Sequence, residues 1–596
     1  MLNLIRRFCD FYGSNFAPKL LEIVKLGYHK EHFKRDVASG LTVAIISLPL
    51  AMAFAIASGV SPSQGLYTAI VAGCFISLFG GSRYQIGGPT GAFVIIIFNI
   101  IQQHQYTGLL MAMMIAGVIL LFAGFLRLGN YVKYIPFPVI IGLTSGIAVL
   151  LFSTQIKDLF GLQIESVPAE FLPKWRSYLS NWHSFTIASI AVTLITFGVI
   201  FFIEIRKIKL PAYLIALSFA TIAVIGFSMF NIDIDTIGNK FGGLPLFLPM
   251  PEFPAFDLDL ALRVFPSALT IAFLTAVESL LSATVIDSIS GDNHNPNAEI
   301  IAGGLATIAS AAFMGLPATG AVARTTANYK AGAYSPLSGV MHAIFLLLFM
   351  LLLSPISKYI PLAALSAVLM IIAFNMFGFS KFMRILKGAR GDRWVLLSTF
   401  VLTVFVDLNV AISIGFILAS IIFMHSMSEE IEVEADDALE VYKQGYDVKG
   451  SDIDEKLSKK GVMSIRFSGP LFFGATATIA GFFRTINPPK VLILRMSRVS
   501  IVDASGANAL VEFLKRMREY NTKIIISHIR KQPQRVLTPI LKEEGLYKEI
   551  SQAATFENAI NIAKKHIREL EKNKQEEEKN EDTGNKDIKQ LINELI

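Results

Sequence analysis

Apolar and polar residues divide this chain into two regions that meet near residue 428. Before that point, long apolar runs alternate with short polar segments. After it, the apolar runs shrink to short stretches at 462–467, 491–494 and 524–527, with helical patterns between them. Long apolar runs are typical of membrane-spanning helices, whereas short strands that alternate with helices are typical of a soluble α/β domain. The pattern therefore predicts a membrane domain followed by a soluble domain.

The first region contains fourteen candidate spans. They lie near residues 40–57, 64–79, 90–101, 108–126, 136–153, 184–203, 211–230, 267–286, 298–314, 319–331, 336–354, 361–378, 394–408 and 410–427. The third and tenth are too short to cross about 30 Å of hydrocarbon at about 1.5 Å per helical residue. We interpret these two as half-helices that non-helical backbone completes.

Two short sequence motifs recur inside the apolar region. SGLTVA at 39–44 reappears as SALTIA at 267–272, an offset of 228, and PTGA at 89–92 reappears as ATGA at 318–321, an offset of 229. Two nearly equal offsets indicate that a unit of seven spans was duplicated. Because seven is odd, the two copies insert in opposite directions. The sequence thus predicts an α-helical polytopic membrane protein with a 7+7 inverted repeat and two half-helices, an organisation used by secondary transporters.

The distribution of basic residues fixes the orientation. If the N-terminus is cytoplasmic, the inside segments carry nineteen Lys and Arg residues and the outside segments carry six. Basic residues accumulate in cytoplasmic loops, so we expect a multi-pass protein of the cytoplasmic (inner) membrane with both termini in the cytoplasm. Residues 1–36 are basic without a continuous apolar stretch, so we interpret them as a cytoplasmic or interfacial lead-in and not as a cleaved signal peptide.

Composition sharpens this division. The chain of 596 residues is 53% hydrophobic and 17% charged, with a mean hydropathy of +0.55. We expect a membrane domain at 37–428, an acidic linker at 429–439, an α/β domain at 440–567 and a charged tail at 568–596. Two cysteines cannot build a disulfide framework or a Cys-rich zinc site. Basic residues follow the cytoplasmic loops and do not cluster on one surface, so the charge pattern does not indicate nucleic-acid binding. No sequence feature indicates an enzyme, a cofactor or a resident metal.

The openings of the two half-helices are the first candidate site. Thr90, Gly91 and Ala92 match Thr319, Gly320 and Ala321 in the second copy. Small residues let a ligand approach the unpaired N–H groups of a helix start, whose dipole is positive there. Two such ends that face each other would bind an anion. Gly and Ala also allow close helix packing, but their pairing at the repeat offset favours a site.

Glu278 is the only carboxylate in the span 267–286, and Ser282 lies one helical turn beyond it. An acid at that depth is usually functional. Glu278 and Ser282 can carry a coupling proton or, with Thr319, a sodium ion. The alternative is a structural carboxylate paired with Arg324 or with the backbone. Arg324 itself can supply positive potential behind the anion, pair with an acid, or reach the cytoplasmic surface.

Several stretches together resemble the SulP anion transporters of solute carrier family 26. They are residues 47–55, 65–67, 79–83, 88–90, 321–328 and 331–336. The resemblance implies core and gate domains, a homodimer, a C-terminal STAS domain at 440–567, and an anion between the third and tenth helices near Phe54, Thr90 and Arg324. Some relatives have glutamine where this chain has Leu50. Within the family, residues 278–287 are most similar to a bacterial C4-dicarboxylate carrier, whereas Na⁺/bicarbonate carriers have Asp at the position of Glu278.

The leading hypothesis is a secondary active transporter for proton-coupled uptake of a C4-dicarboxylate such as succinate. The alternative is Na⁺- or H⁺-coupled transport of sulfate or bicarbonate, and a less favoured one is a membrane-anchored STAS signalling protein with a cytoplasmic partner. In the soluble domain, Ser505 follows a strand and precedes a helix, where we expect it to cap the helix. STAS domains resemble anti-sigma-factor antagonists, whose phosphorylated serine matches Ser505, so Ser505 is also a candidate phosphorylation site.

Overall fold

A computed structural model describes most of the chain. The described residues are 16–164, 167–208, 211–230, 232–429, 432–435, 457, 459–475, 481 and 486–595. The chain divides into two compact units, residues 1–419 and residues 420–596. Cys9 and the first basic residues of the lead-in, as well as most of the expected linker, lie outside the described residues.

The first unit is helical, with two very short strands. Its elements are α1 (Lys19–Leu26), α2 (Lys30–Ala57), α3 (Pro62–Phe79), β1 (Gly87–Gly88), α4 (Val94–Phe125), α5 (Phe137–Phe160), α6 (Phe171–Ser180), α7 (Ile187–Ile205), α8 (Ala212–Ser228), α9 (Ile237–Phe241), α10 (Leu258–Ser290), α11 (Pro296–Ala312), β2 (Thr319–Gly320), α12 (Val322–Lys330), α13 (Leu337–Ser357), α14 (Leu362–Phe377), α15 (Phe379–Leu386), α16 (Arg390–Phe405) and α17 (Leu408–Glu429). Among the described residues, nine helical segments are long and apolar enough to cross a membrane.

A helix or half-helix lies at each of the fourteen candidate spans, so the predicted polytopic fold is confirmed. The third and fourth spans share α4, which breaks at Gln105, where φ is 59° and ψ is −173°. The first helix begins at Lys30, ten residues earlier than expected. This extension buries Asp36, whose carboxylate accepts hydrogen bonds from the N–H groups of Tyr334 and Ser335 at 2.7 and 3.0 Å. A buried acid is tolerated here because the backbone of the other copy satisfies it.

The two copies pack in matching ways. α2 packs against α13, and its counterpart α10 packs against α4, the counterpart of α13. The strands β1 and β2 pair antiparallel, with Gly87 opposite Gly320 and Gly88 opposite Thr319. Equivalent segments of an inverted repeat run in opposite directions, so they can meet in this antiparallel register. The pairing brings the openings of the two half-helices together.

Glycines allow the second half of α4 to approach α11 closely. A Cβ built on Gly117 would lie 2.9 Å from the carbonyl oxygen of Gly304, and a Cβ built on Gly304 would lie 2.8 Å from that of Gly117. Real Cβ atoms do not come so near a carbonyl oxygen. Helices in membranes associate through such small-residue contacts, because lipid removes the hydrophobic driving force.

The second unit is an α/β domain. Its strands are β3 (Glu432–Ala435), β4 (Val462–Ser468), β5 (Val491–Arg498), β6 (Lys523–Ser527) and β7 (Ser551–Ala553), and its helices are α18 (Ala504–Glu519), α19 (Lys531–Glu543) and α20 (Phe556–Leu595). The sheet order is β3-β4-β5-β6-β7, parallel from β4 to β7, with β3 antiparallel at the edge. Buried leucines and valines of the strands and of α18 form its core. Part of the expected acidic linker is strand β3, and the expected charged tail continues α20.

The helix cap that we assigned to Ser505 is wrong. Asp503 precedes α18, and its carboxylate accepts hydrogen bonds from the N–H of Gly506 at 2.7 Å and from that of Phe473 at 3.0 Å. Ser505 lies inside the first turn with an exposed side chain. Both residue types can cap a helix, and the sequence alone does not decide between positions two residues apart.

Replacing Gly117 or Gly304 with valine should destabilise the membrane unit by about 1–3 kcal/mol, the usual effect of overpacking a tight contact. The measurement is thermal unfolding of the purified protein in detergent. Gly198→Val and Gly226→Val are matched controls, because a Cβ at either position meets nothing within 4 Å. Equal melting temperatures for all four variants would contradict the proposed role of the glycine contact.

Asp503→Ala should weaken the start of α18 by about 1 kcal/mol, because two N–H groups lose their acceptor. Hydrogen–deuterium exchange of the full-length protein should show amides near Gly506 exchanging about fivefold faster. Ser505→Ala should leave this exchange unchanged, and Asp503→Asn should restore most of the protection. Faster exchange in the Ser505 variant instead would reinstate Ser505 as the cap.

Candidate functional site

The crossing of β1 and β2 positions two helix starts. Thr90 is extended, and Gly91–Phe93 form one 3₁₀ turn that leads into α4. On the other side of the crossing, α12 begins at Val322 directly after β2 and Ala321. The N–H groups of Gly91 and Ala92 donate to no acceptor among the described residues. The first half-helix therefore offers the free donors that the sequence predicts.

The second opening differs from the prediction in its register. The N–H of Gly320 donates to Ser279 Oγ at 3.1 Å, and the N–H of Ala321 donates to the carbonyl oxygen of Ile86 at 3.0 Å. A side chain of α10 occupies the first of these donors, and the backbone just before β1 occupies the second. The N–H groups of Val322 and Ala323, whose side chains are exposed, have no acceptor among the described residues. The free donors of this copy therefore lie two residues later than expected.

Glu278 lies beside the first opening. Its side chain is half-buried, and Thr90 Oγ1 donates to its Oε2 at 3.0 Å. No cationic nitrogen lies within 4 Å of this carboxylate among the described residues, so the expected alternative of an ion pair with Arg324 is not found. Glu278 on α10 thus contacts the half-helix of the other copy through a single hydroxyl group.

Arg324 is buried, with 3% of its surface exposed. Its Nη2 donates to the carbonyl oxygen of Pro89 at 2.5 Å, and its Nη1 has no acceptor. A Cβ built on Gly88 would lie 2.5 Å from Nη1, so the absence of a side chain at Gly88 makes room for the guanidinium. Arg324 therefore places a positive charge directly behind Thr90 and does not reach the membrane surface.

Phe54 forms an apolar wall of the first opening. A Cβ built on Gly91 would lie 3.3 Å from Phe54 Cε1, 3.2 Å from Leu151 Cδ2 and 3.5 Å from Met376 Sδ. The structure thus brings Phe54 to the opening at Gly91, as the family resemblance implied. Leu50 is also buried, one turn earlier on α2.

The proposed sodium ligands are not joined by hydrogen bonds. Ser282 donates to Thr325 Oγ1 at 3.3 Å. Thr319 Oγ1 hydrogen-bonds Ser279 Oγ at 2.8 Å. Glu278 contacts neither Ser282 nor Thr319 in this way. The helix repeat does place Glu278 and Ser282 on neighbouring turns of α10. However, it is Ser279 that hydrogen-bonds β2, and the sequence analysis did not identify Ser279.

Sequence reasoning also missed two buried polar residues beside the crossing. Gln85 Nε2 donates to the carbonyl oxygen of Ser279 at 3.0 Å, and this amide occupies the space that a side chain at position 320 would need. Glu299 is 1% exposed and accepts hydrogen bonds from the N–H groups of Gly81 and Ser82 at 2.9 and 3.1 Å. Glu299 is an isolated acid in an apolar span, so the argument used for Glu278 would have identified it.

Two family models match the chain, one in each unit. The sequence model of the sulfate permease family matches residues 33–399, and that of the STAS domain matches residues 455–572. The putative sulfate transporter YvdB of Bacillus subtilis (strain 168) is 37% identical over 536 residues, covering 89% of this chain and 97% of that protein. The bicarbonate transporter BicA of Picosynechococcus is 28% identical, covering 82% of this chain and 88% of that protein.

Two solved structures have a similar fold. The structure of SLC26A9 superposes with a TM-score of 0.82 at 17% identity and covers 96% of both chains. The transmembrane domain of a cyanobacterial bicarbonate transporter BicA superposes with a TM-score of 0.58 at 26% identity, covering 66% of this chain and 98% of that one. The first similarity extends the shared fold over both units, and the second is confined to the membrane unit.

Gly320→Ala should abolish anion transport, because the new methyl group overlaps the Gln85 amide and displaces β2. Gly91→Ala should have a smaller effect, since its methyl group meets side chains at 3.2 Å or more. Uptake into proteoliposomes measures both effects. A second substitution, Gln85→Ser, should partly rescue Gly320→Ala by making room. Full activity of Gly320→Ala would show that the crossing is not required.

Proposed function

The chain belongs to the sulfate permease family of anion transporters, and on that basis we propose that it takes up a small oxyanion such as bicarbonate or sulfate together with a proton. The observation that carries the proposal is a set of donors without acceptors at the two helix starts. The N–H groups of Gly91 and Ala92, those of Val322 and Ala323, and Arg324 Nη1 all lack acceptors at or beside the two helix starts. A ligand made of acceptors, and negatively charged, satisfies such donors.

Each residue then has a defined role. The two helix ends bind the oxygen atoms of the anion, and the buried guanidinium of Arg324 adds positive potential behind them. Phe54 closes one side with an apolar surface. Apart from Arg324, the anion is bound by backbone N–H groups and not by charged side chains. We therefore expect an affinity that is high enough for binding and low enough for release.

Glu278 is the proposed coupling residue. An ionised Glu278, which contacts Thr90, would repel an anion bound at the first helix start. Protonation of Glu278 therefore favours anion binding, and anion binding favours protonation to the same extent. A protonated Glu278 can also reverse the hydrogen bond and donate to Thr90. The hydroxyl groups of Ser282 and Thr319 are hydrogen-bonded to Thr325 and Ser279 and not to Glu278, which supports the proton over sodium as the coupling ion.

A C4-dicarboxylate such as succinate is the second candidate substrate, favoured by the similarity of residues 278–287 to a dicarboxylate carrier. Relatives named as transporters of sulfate and bicarbonate favour the smaller anions. The close approach of Gly91 to Phe54 and Leu151 also favours a compact ligand.

The remaining assignments follow from topology. We place both termini and the STAS domain in the cytoplasm of the cell, on the strength of the charge asymmetry. The resemblance to the family supports a homodimer. Ser505 is exposed in the first turn of α18, where a phosphate would meet free N–H groups, so its modification stays a prediction.

The decisive experiment is uptake by the purified protein in liposomes. Labelled bicarbonate, sulfate and succinate are compared, each with an imposed proton gradient, a sodium gradient or neither. We expect a proton gradient, acidic outside, to drive accumulation of bicarbonate or sulfate. Accumulation driven only by sodium would refute the proposed coupling ion, and accumulation of succinate alone would favour the second candidate.

Glu278→Gln should lose proton-driven accumulation by about tenfold or more while retaining anion exchange, because the amide cannot release a proton. Glu252→Gln is a matched control, since Glu252 is exposed in the segment before α10. Exchange measured without a gradient shows that the variant is folded. Wild-type accumulation by Glu278→Gln would remove Glu278 from the coupling mechanism.

A further inference from the structure

A cavity lies apart from the two helix openings. It has a volume of about 290 Å³ and is lined by polar and charged residues that include Lys174, Tyr178, Gln155, Lys157 and Asp158. These residues come from α5 and α6, and Phe98 of α4 and Ile56 of α2 complete part of the wall. The sequence analysis assigned nothing to this region.

Lys174 is the unusual residue of this cavity. It is 1% exposed, yet no carboxylate lies within 4 Å of its amine among the described residues. Its nearest identified partner is the ring of Phe98, at 5.5 Å from Nζ to the ring centroid. A buried ammonium group without an acidic partner is costly and needs a compensating ligand.

Tyr178 adds a second unsatisfied group, one helical turn from Lys174 on α6. Its side chain is 1% exposed and its hydroxyl has no hydrogen-bond partner in the described structure. A hydroxyl group buried in this way is normally hydrogen-bonded. An ammonium and a hydroxyl on one helix face therefore line the same small cavity without partners of their own.

The other charges leave the cavity net positive. Lys157 also lines it and donates to the carbonyl oxygen of Ile164. Lys240 is paired with Asp235 at 3.0 Å, and Asp158 is the one acidic residue of the lining. Burial lowers the pKa of the Lys174 amine to about 8, which still leaves it mostly protonated at neutral pH.

The cavity is displaced from the helix openings toward one end of three helices. Phe54 and Leu151 lie next to Gly91 at the first opening. The cavity residues Ile56, Gln155 and Phe98 follow Phe54, Leu151 and Gly91 in the chain by two, four and seven positions. In the proposed topology all three segments run outward, so the cavity lies on the outer side of this apolar contact. At about 1.5 Å per residue, Phe98 is about 10 Å beyond Gly91.

We propose that this cavity is an outer anion-binding site, in which Lys174 and Tyr178 bind a small anion before it reaches the helix openings. The amine and the hydroxyl both donate to the anion, and Phe98 shields the amine from other partners. The placement of this site on the outer side rests on the proposed topology. The binding of an anion to the site does not depend on the proposed transport function.

A binding assay tests the site directly. The chain has three tryptophans, so Trp182→Phe with Trp394→Phe leaves Trp175, which is adjacent to Lys174, as the sole reporter. Iodide should quench its emission with saturation in the full-length protein, and sulfate or bicarbonate should relieve the quenching. Lys174→Met should raise the half-saturating iodide concentration by about tenfold, the effect of losing a charge-assisted hydrogen bond. Tyr178→Phe should raise it less.

Two controls separate binding from general effects. Acrylamide, a neutral quencher, should act equally on all variants, and Lys358→Met should not change iodide quenching, because Lys358 is an exposed lysine outside the cavity. Iodide quenching that rises linearly, or that is the same in Lys174→Met, would overturn the proposal. Since no transport is required, a failure of the proposed uptake activity would leave this result interpretable.

Discussion

The structure depends on the hydrogen bonds between two short strands in the middle of a helical membrane unit. Inside a bilayer, every backbone N–H and carbonyl group needs a partner within the protein. Where the two repeats interrupt their helices, Gly87–Gly88 and Thr319–Gly320 satisfy one another, and Ser279 and Gln85 complete the pairing. The crossing allows both helices to start in the interior of the unit, one on each side of the paired strands.

Three buried charged groups in this unit are held by the backbone of another segment. Arg324 donates to Pro89, Asp36 accepts from Tyr334 and Ser335, and Glu299 accepts from the loop before β1. These hydrogen bonds compensate the free-energy cost of burying each charge, and they connect the two repeats. Glu278 differs from these three, since a single hydroxyl group contacts it and its side chain is only partly buried. A carboxylate with so little support can change its charge without dismantling the fold.

Two groups of donors without acceptors among the described residues bear on the proposed function, and an apolar contact separates them. One set surrounds the helix openings, and the other lines the cavity of Lys174 and Tyr178. Gly91 packs against Phe54 and Leu151 between them. Under the proposed function, this contact would be the barrier that alternating access needs between a central site and one side of the membrane. Two anion sites in series would raise the local concentration of substrate at the barrier.

The sequence by itself determined the class of the fold. Long apolar runs indicate membrane spans, the repeat offset indicates a duplication and loop charges indicate the orientation, and none of these inferences requires knowledge of how the helices pack. The sequence also determined which segments are half-helices and that Glu278 and Arg324 lie among them. Tertiary structure alone decided the register of the second opening, since the N–H of Gly320 donates to Ser279 of α10 and that of Ala321 donates to the carbonyl oxygen of Ile86. It also decided that Arg324 bonds Pro89 and not Glu278, and that Asp503 caps α18. These outcomes depend on distances between segments far apart in the chain, which local pattern and helical periodicity do not contain.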